Sequence, residues 1–245
     1  MADAARASER AARLDIWSGP VDPQPVTGGI TNTNFLVEDA GRRCFVRVGE
    51  DIPVHGVMRF NELAASRAAA ELGISPPVVH AEPGVLVLEF IEGRTLGEAD
   101  VRDPRTLRRI VPLLRRCHRD MARTVAAPAL VFWVFHICRH YARVLADGGS
   151  RHDDLLPANF IDDGDRLWLI DWDYAGFNTP LFDLGGLSSN SAFDDDRDDD
   201  LLGLYFDAAP DDGLRHRFAA MKTASLLRET LWSMVSELRS EVDFD

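Results

Sequence analysis

The sequence predicts an α+β fold with a β-rich N-terminal lobe and a helical C-terminal lobe. Paired apolar strands and short turns prevail up to about residue 89, whereas helical periodicity prevails from about residue 101 onward. A chain of 245 residues can form one large domain or two small lobes with a sizeable core. We therefore expect an N-lobe over residues 1–92 and a C-lobe over residues 93–245, with a hinge near residues 89–94.

The N-lobe is expected to contain a leading helix, two strand hairpins and a central helix. Gly19-Pro20 ends the leading helix, while Asp39-Ala40-Gly41 and Pro83-Gly84 turn the two hairpins. Gly73 ends the central helix. The expected elements are a helix over residues 1–16, strands over 34–37 and 43–48, a helix over 58–72, and strands over 78–79 and 85–89.

The C-lobe is expected to be mainly helical, with a single strand hairpin among its helices. Asp162-Asp163-Gly164 supplies the turn of that hairpin, and Pro112 is a candidate kink in the first long helix. The expected elements are helices over residues 105–123 and 130–146, a hairpin over 158–171, and helices near 181–188, 198–206 and 213–240.

The composition is that of an acidic globular protein. Hydrophobic residues make up 46% and charged residues 27% of the chain. A net charge of −13 disfavours nucleic acid and stable association with an anionic membrane, and it attracts small cations. The three cysteines, Cys44, Cys117 and Cys138, show no metal-like spacing and sit among apolar residues. Without a secretory signal or a spanning segment, we expect a cytoplasmic protein with reduced thiols.

The strongest functional signal is an acidic motif in the second half of the chain. Asp154 is followed five positions later by Asn159, and after a hairpin the apolar run Leu169-Ile170 ends in Asp171. Phosphoryl transfer needs one carboxylate to orient the attacking hydroxyl, for which we assign Asp154. Asn159 and Asp171 offer the hard oxygen ligands that Mg²⁺ prefers, with Asp171 also spanning the β- and γ-phosphates of ATP. His152 would tie this catalytic loop to the core.

Two other stretches imitate functional motifs. His118-Arg119-Asp120 has the right letters for a catalytic loop, but the position where an asparagine is needed holds Val125, and the segment lies in a helical pattern. The acidic run 194–200 lacks the glycine and the final glutamate of a calcium loop. We interpret the first as an exposed helix face and the second as a solvated helix start.

A phosphate-binding loop is predicted just before the first strand. Gly28 and Gly29 allow backbone N–H groups to approach phosphate oxygens, and Thr31 and Asn32 add side-chain donors. The chain holds no Gly-Lys-Ser/Thr sequence, so this is not a P-loop of the Walker type. An ordinary turn remains the alternative.

The cation for the nucleotide phosphates must be an arginine, because Lys222, the only lysine, lies far along the chain. Arg47 lies on the second predicted strand, and Glu62 on the following helix is its expected partner. An exposed strand arginine and a solvated glutamate are the alternatives. Glu89 and Ile91 would supply backbone hydrogen bonds to adenine.

Together these motifs resemble those of bacterial choline/ethanolamine kinases, which belong to the aminoglycoside-phosphotransferase-like branch of the protein-kinase fold. The resemblance extends from about residue 25 to residue 240 and rests on five segments. They are Gly28–Phe35, the pair Arg47 and Glu62, His152–Phe160, Ile170–Gly176 and Phe182–Gly185. It implies a protein-kinase-like two-lobe fold and the use of Mg²⁺ and ATP to phosphorylate the hydroxyl of choline or ethanolamine.

The resemblance also implies an aromatic and acidic pocket for a small cationic amino alcohol. Asp173, Tyr174 and Trp232 match family positions near that pocket, and Glu229 lies three residues before Trp232 on the last predicted helix. Ordinary core packing is the alternative for each aromatic residue. Asp183 is placed to accept backbone N–H groups of the catalytic loop.

Two departures from the family leave the function open. The segment 147–153 is shorter than expected, and the sequence ends at Asp245, where relatives continue. The C-lobe is therefore expected either to be naturally shortened or to lack residues in this sequence. The alternatives are a kinase for another cationic or polyol substrate, such as an aminoglycoside or thiamine, and a catalytically silent kinase-like binding protein.

Overall fold

The computed structural model describes residues 2–26, 32–146 and 157–239. The chain forms two compact units. The first contains residues 1–93, 119–129 and 168–175, and the second contains 94–118, 130–167 and 176–245. The sequence-based division into residues 1–92 and 93–245 stays a prediction. The first unit also contains two segments from beyond residue 93.

The first unit is built on a five-stranded antiparallel sheet with strand order β1-β2-β3-β5-β4. Ala40 and Gly41, which turn the first hairpin, both adopt positive φ (50° and 80°), as a two-residue hairpin turn requires. The elements are α1 (Ala2–Ala12), β1 (Gln24–Val26), β2 (Thr33–Asp39), β3 (Arg42–Val48), α2 (Arg59–Glu71), β4 (Val78–Glu82) and β5 (Val85–Glu89).

The core of the first unit lies between one face of this sheet and α1. Alternate residues are buried along much of these strands, Phe35 and Val37 in β2 and Cys44, Val46 and Val48 in β3, as the alternation of side chains along a strand explains. Ala7 and Ala11, four residues apart on α1, pack into the same cluster as Phe35 and Val46. Full burial of a side chain such as Phe35 contributes about 1.5–3 kcal/mol.

The second unit is mainly helical, and α4 and β8 contribute residues to both units. In its small sheet, β6 pairs antiparallel with β7, so that Arg94 lies opposite Asp162. The elements are β6 (Arg94–Thr95), α3 (Glu98–Arg102), α4 (Pro104–Thr124), α5 (Val134–Ala146), β7 (Phe160–Asp162), β8 (Leu167–Leu169), α6 (Pro180–Asn190), α7 (Asp195–Phe206) and α8 (Asp212–Arg239).

Three helix boundaries differ from the predictions by three residues or more. The leading helix ends at residue 12 rather than 16. Helix α5 begins at Val134 rather than at residue 130, because Leu130 and Phe132 exchange backbone hydrogen bonds with Phe177. Helix α7 begins three residues earlier than predicted, at Asp195, because the side chain of Asp194 accepts the N–H of Arg197 at 2.9 Å and caps the helix.

The acidic run and the cysteines behave largely as the sequence predicts. Most of the run lies on the exposed first turns of α7, but Asp198 is buried, where it accepts from Ser188 and from Lys222. Burial raises the pKa of the thiols of Cys44 and Cys138, and it raises that of Cys117 to about 12. Across the described ranges, no helix is both long and apolar enough to cross a bilayer.

Glycines allow α6 and α8 to approach each other closely. A Cβ added at Gly185 would lie 2.8 Å from the backbone N and Cα of Lys222, and one added at Gly186 would lie 3.2 Å from Ser225 Oγ. Because backbone atoms cannot rotate away, the helices would have to separate to accommodate a side chain at Gly185.

We expect Gly185→Ala to lower the free energy of unfolding by about 1–3 kcal/mol through overpacking of the α6–α8 contact. Urea denaturation followed by circular dichroism measures this. The matched control is Gly203→Ala in α7, where the new Cβ meets nothing closer than Ala208 O at 3.8 Å. That variant should be unchanged or more stable by up to about 1 kcal/mol. Equal stability of the two variants would contradict the packing account.

Candidate functional site

The candidate site of the first unit is a cluster of charged side chains from three stretches of sequence. Strand β3 supplies Arg47, helix α2 supplies Arg59 and Glu62, and the segment after β8 supplies Asp171 and Asp173. Strand alternation turns Arg47 away from the buried Val46 and Val48 beside it.

Arg47 is the central cation of this cluster. Its Nη1 lies 2.8 Å from Glu62 Oε1, 2.9 Å from Asp173 Oδ1 and 3.2 Å from Asp171 Oδ1. The predicted partners Arg47 and Glu62 therefore meet directly. This nitrogen carries two hydrogens, and three carboxylate oxygens lie within hydrogen-bond distance of it, so the three oxygens share two hydrogens.

Arg59 is a second cation in the cluster, and the sequence analysis did not identify it. Its Nη1 lies 2.7 Å from Glu62 Oε2 and 3.0 Å from Asp173 Oδ1. Its Nε donates to Glu50 O at 2.9 Å, and its backbone N–H donates to Asp51 Oδ1 at 2.7 Å. The signal available in the sequence was its position three residues before Glu62, which places both side chains on one face of a helix.

Asp173 is enclosed by donors. Its Oδ1 accepts from both arginines, and its Oδ2 accepts from Asn32 Nδ2 at 2.8 Å. The Asp173 side chain is only 3% exposed. Asn32, predicted to bind phosphate, thus contacts an acidic residue of the cluster.

The cluster favours the charged form of Arg47, whereas burial raises the pKa of Glu62 above its ordinary value. Burial opposes the charge of Arg47, but Asp171, Asp173 and Glu62 together raise its pKa above the ordinary value. Burial also raises the pKa of Glu62, while the charge of Arg47 lowers it. A buried carboxylate of this kind depends on its cationic neighbours, because an unpaired charge away from water is costly.

Asp171 differs from the other acids in being accessible. Its side chain is 40% exposed, and its Oδ1 accepts from Arg47 Nη1 and from the N–H of Asp173. Its φ of 68° lies in the left-handed region, a strained conformation that is frequent at functional sites. An accessible carboxylate beside fixed charges fits the oxygen chemistry that Mg²⁺ requires.

Hydrogen bonds hold the segment after β8 in place. Trp172 Nε1 donates to Ser75 Oγ at 3.0 Å, which agrees with the core position expected of an indole. Asn61 Nδ2 donates to Ala175 O at 2.7 Å, and Leu169 N–H donates to Ile74 O at 2.8 Å. The two aspartates are therefore carried by a segment that is fixed at both ends.

Other predicted site residues lie in the second unit. Asn159 is the last residue of the short 3₁₀ helix Pro157–Asn159, which precedes β7. Asp183 lies in the first turn of α6, and its Oδ2 is 2.9 Å from His118 Nε2. His118 Nδ1 in turn lies 2.8 Å from the hydroxyl of Tyr205. The segment 118–120 is helical, as predicted, but His118 is an internal partner rather than an exposed residue.

Two residues predicted for the substrate pocket, Glu229 and Trp232, are buried residues of α8. Trp232 is 4% exposed, and Glu229 Oε1 accepts from Asn190 and Ser225 at 3.3 Å each. Burial of Trp232 favours the core-packing alternative over stacking on a substrate. Tyr174 belongs to the first unit, between Asp173 and Ala175.

Several predictions lie outside the described residues, namely those for Gly28, Gly29, Thr31, His152 and Asp154. The predicted adenine contacts are described. The N–H groups of Glu89 and Phe90 donate to Pro77 O and Arg43 O, so these two donors are already used within the first unit, and Ile91 lies beyond the end of β5.

Comparison with known proteins identifies relatives of the chain. A LicA protein of Haemophilus influenzae is 28% identical over 214 residues, which cover 73% of this chain and 61% of that protein. Ethanolamine kinase 2 of Mus musculus is 27% identical over 195 residues, which cover 64% of this chain and 50% of that protein. No protein-family model matches the chain.

A solved structure extends the likeness to the fold. The choline/ethanolamine kinase family protein of Mesorhizobium loti superposes with a TM-score of 0.70 at 27% identity, covering 93% of this chain and 84% of that one. The predicted resemblance to the choline/ethanolamine kinases is confirmed. The kinase-like α+β fold is confirmed with it. The chain spans 61% of the Haemophilus LicA and half of the mouse kinase, so what those whole proteins do is a proposal for this chain.

Arg47 should stabilise the fold of the first unit, because it neutralises buried acids. We expect Arg47→Gln to lower the free energy of unfolding by about 3–5 kcal/mol, because it leaves Glu62 and Asp173 buried with less positive charge. Urea denaturation at neutral pH measures the loss.

The matched control is Arg43→Gln on the same strand. Arg43 pairs with Glu92, whose side chain is 71% exposed, so this change should cost no more than about 1 kcal/mol. An Arg47→Gln protein as stable as the Arg43→Gln protein would show that the buried acids do not depend on Arg47.

Proposed function

We propose that this protein is a kinase that uses Mg²⁺ and ATP to phosphorylate the hydroxyl of choline or ethanolamine. The observation that carries the proposal is the pairing of Arg47 with Glu62 beside the accessible Asp171. A strand cation paired with a helix glutamate, next to a metal-binding acid, is the arrangement that protein-kinase-like folds use to hold nucleotide phosphates.

Arg47 is the residue that we assign to the α- and β-phosphates of ATP. A guanidinium binds phosphate oxygens through two parallel hydrogen bonds, and its charge persists at any physiological pH. The Gly28-Gly29 loop with Thr31 and Asn32 would donate to the other phosphate oxygens, and Ile91 would contact adenine through its backbone.

Asp171 and Asn159 are the residues that we assign to Mg²⁺. A carboxylate and an amide oxygen match the preference of Mg²⁺ for hard ligands. When bound, the ion neutralises charge that develops on the transferred phosphoryl group. Arg47 Nη1 lies 3.2 Å from Asp171 Oδ1, so the carboxylate assigned to the ion is next to the cation assigned to the phosphates.

Asp154 is the residue that we assign to the acceptor. Its carboxylate would accept the proton of the substrate hydroxyl as the oxygen attacks the γ-phosphorus, and ADP leaves with the bridging oxygen. Asp183 and His152 would hold the catalytic loop, with His118 fixing the Asp183 carboxylate through its 2.9 Å contact.

A cationic acceptor agrees with the charge of the chain and with its relatives. The net charge of −13 attracts a quaternary or primary ammonium group. The mouse relative is an ethanolamine kinase, and the Mesorhizobium neighbour is a choline/ethanolamine kinase family protein. Tyr174, Glu229 and Trp232 stay proposals for the pocket, whereas buried Asp173, which both arginines contact, is better suited to positioning. We place the activity in the cytoplasm.

An acceptor screen tests this proposal. ADP production is measured with choline, ethanolamine, thiamine and kanamycin at saturating Mg-ATP, and the proposal expects turnover with choline or ethanolamine above the others. Turnover with thiamine or kanamycin alone would reject the acceptor. Choline binding without ADP production would instead support the silent binding protein.

We expect Asp154→Ala to lower kcat by about 10²–10⁴-fold while the affinity for Mg-ATP is nearly kept, because Asp154 acts on the acceptor hydroxyl. Steady-state kinetics and nucleotide titration measure the two quantities. The adjacent Asp153→Ala is the matched control and should keep most activity. A normal kcat for the Asp154 variant would remove this residue from the mechanism.

A further inference from the structure

Two guanidinium groups face three carboxylates in the cluster of the first unit, and the two guanidinium groups make different contacts. Arg47 contacts Glu62, Asp171 and Asp173 through a single nitrogen. Of the same three carboxylates, Arg59 Nη1 contacts those of Glu62 and Asp173, which matches the two hydrogens on this nitrogen. Both acids that Arg59 contacts are almost completely buried, at 2% and 3% side-chain exposure.

Binding of a nucleotide would change the demands on Arg47. The carboxylates hold Arg47 through Nη1 alone, so a nucleotide that draws the guanidinium toward its phosphates would take Nη1 away from Glu62 and Asp173. Asp171 is accessible and can turn to a metal ion or to water, but Glu62 and Asp173 cannot be hydrated in exchange. Without another cation, those two acids would hold Arg47 back from the nucleotide, because an unpaired buried carboxylate is costly.

We infer that Arg59 is a positioning residue that neutralises Asp173 and Glu62 so that Arg47 can turn to the nucleotide phosphates. The inference rests on the proposed function and adds to it a residue that neither the motifs nor the family resemblance indicated. Arg59 acts through Asp173 and Glu62 and needs no contact with the nucleotide itself.

The anchoring of Arg59 suits this role, because it does not depend on Arg47. Arg59 is the first residue of α2, where its backbone N–H is held by Asp51 and its Nε by Glu50 O. Its guanidinium therefore keeps its place when Arg47 moves. Asn32 also donates to Asp173, but its amide is neutral and cannot replace a positive charge. Among described residues, Arg59 is the cation besides Arg47 that contacts both buried acids.

The experiment measures the Kd of Mg-ATP by calorimetry without any acceptor. We expect Arg59→Gln to raise this Kd about tenfold to hundredfold, as for the loss of a charged hydrogen-bond partner. The matched control is Arg67→Gln, the same change at an exposed position of α2, which should stay within about twofold of the unaltered protein. An Arg59→Gln protein that binds Mg-ATP as tightly as the control would overturn the inference.

A second-site variant separates positioning from general structural support. In Arg59→Gln/Asp173→Asn, one buried acid is neutralised together with the cation, so Arg47 is released again and most of the lost affinity should return. A double variant as weak as Arg59→Gln would overturn the inference. Should Arg59→Gln fail to fold, the double variant is compared with Asp173→Asn alone, and the inference expects Kd values within about threefold. A clearly higher Kd of the double variant would overturn it.

The same titration keeps this inference distinct from the proposed function. An unaltered protein that binds Mg-ATP but phosphorylates neither choline nor ethanolamine would reject the acceptor, while the Arg59 results still decide the inference. An unaltered protein that does not bind Mg-ATP would reject both.

Discussion

The arrangement of the first unit depends on the placement of the guanidinium of Arg47 among three carboxylates. Glu62 and Asp173 are too deeply buried to be hydrated, so their charges are tolerated only beside a cation. That requirement ties strand β3 to helix α2 and to the segment after β8, although Arg47 and Asp173 are 126 positions apart in the chain. One electrostatic constraint therefore joins the folding of this unit to the geometry of its site.

The same constraint explains why the acids of the cluster differ in exposure and in their contacts. Asp171 is the exposed member, held in a left-handed backbone conformation, and is suited to receive a metal ion. Asp173, two residues later, is buried and contacted by both arginines, so it is suited to hold their side chains in position. The sequence Asp171-Trp172-Asp173 thus carries an exposed acid and a buried acid on either side of an indole that is anchored to Ser75.

The sequence was sufficient where local patterns decide the outcome. Turn residues such as Ala40 and Gly41 and the strand alternation around Arg47 indicated the first hairpin, and the pairing of Arg47 with Glu62 followed from it. It was insufficient where distant contacts decide. The late start of α5 depends on Phe177, and the enclosure of Asp173 depends on Arg59, which reads as an ordinary first-turn residue of a helix. Burial of Trp232 likewise reflects packing that periodicity does not specify.

A crystal structure with Mg²⁺ and a non-hydrolysable ATP analogue tests the central claim most directly. The account predicts Arg47 in contact with phosphate oxygens, Asp171 bound to Mg²⁺ at about 2.1 Å, and Glu62 and Asp173 still held by Arg59. A nucleotide bound elsewhere, with Arg47 remaining on all three carboxylates, would contradict it.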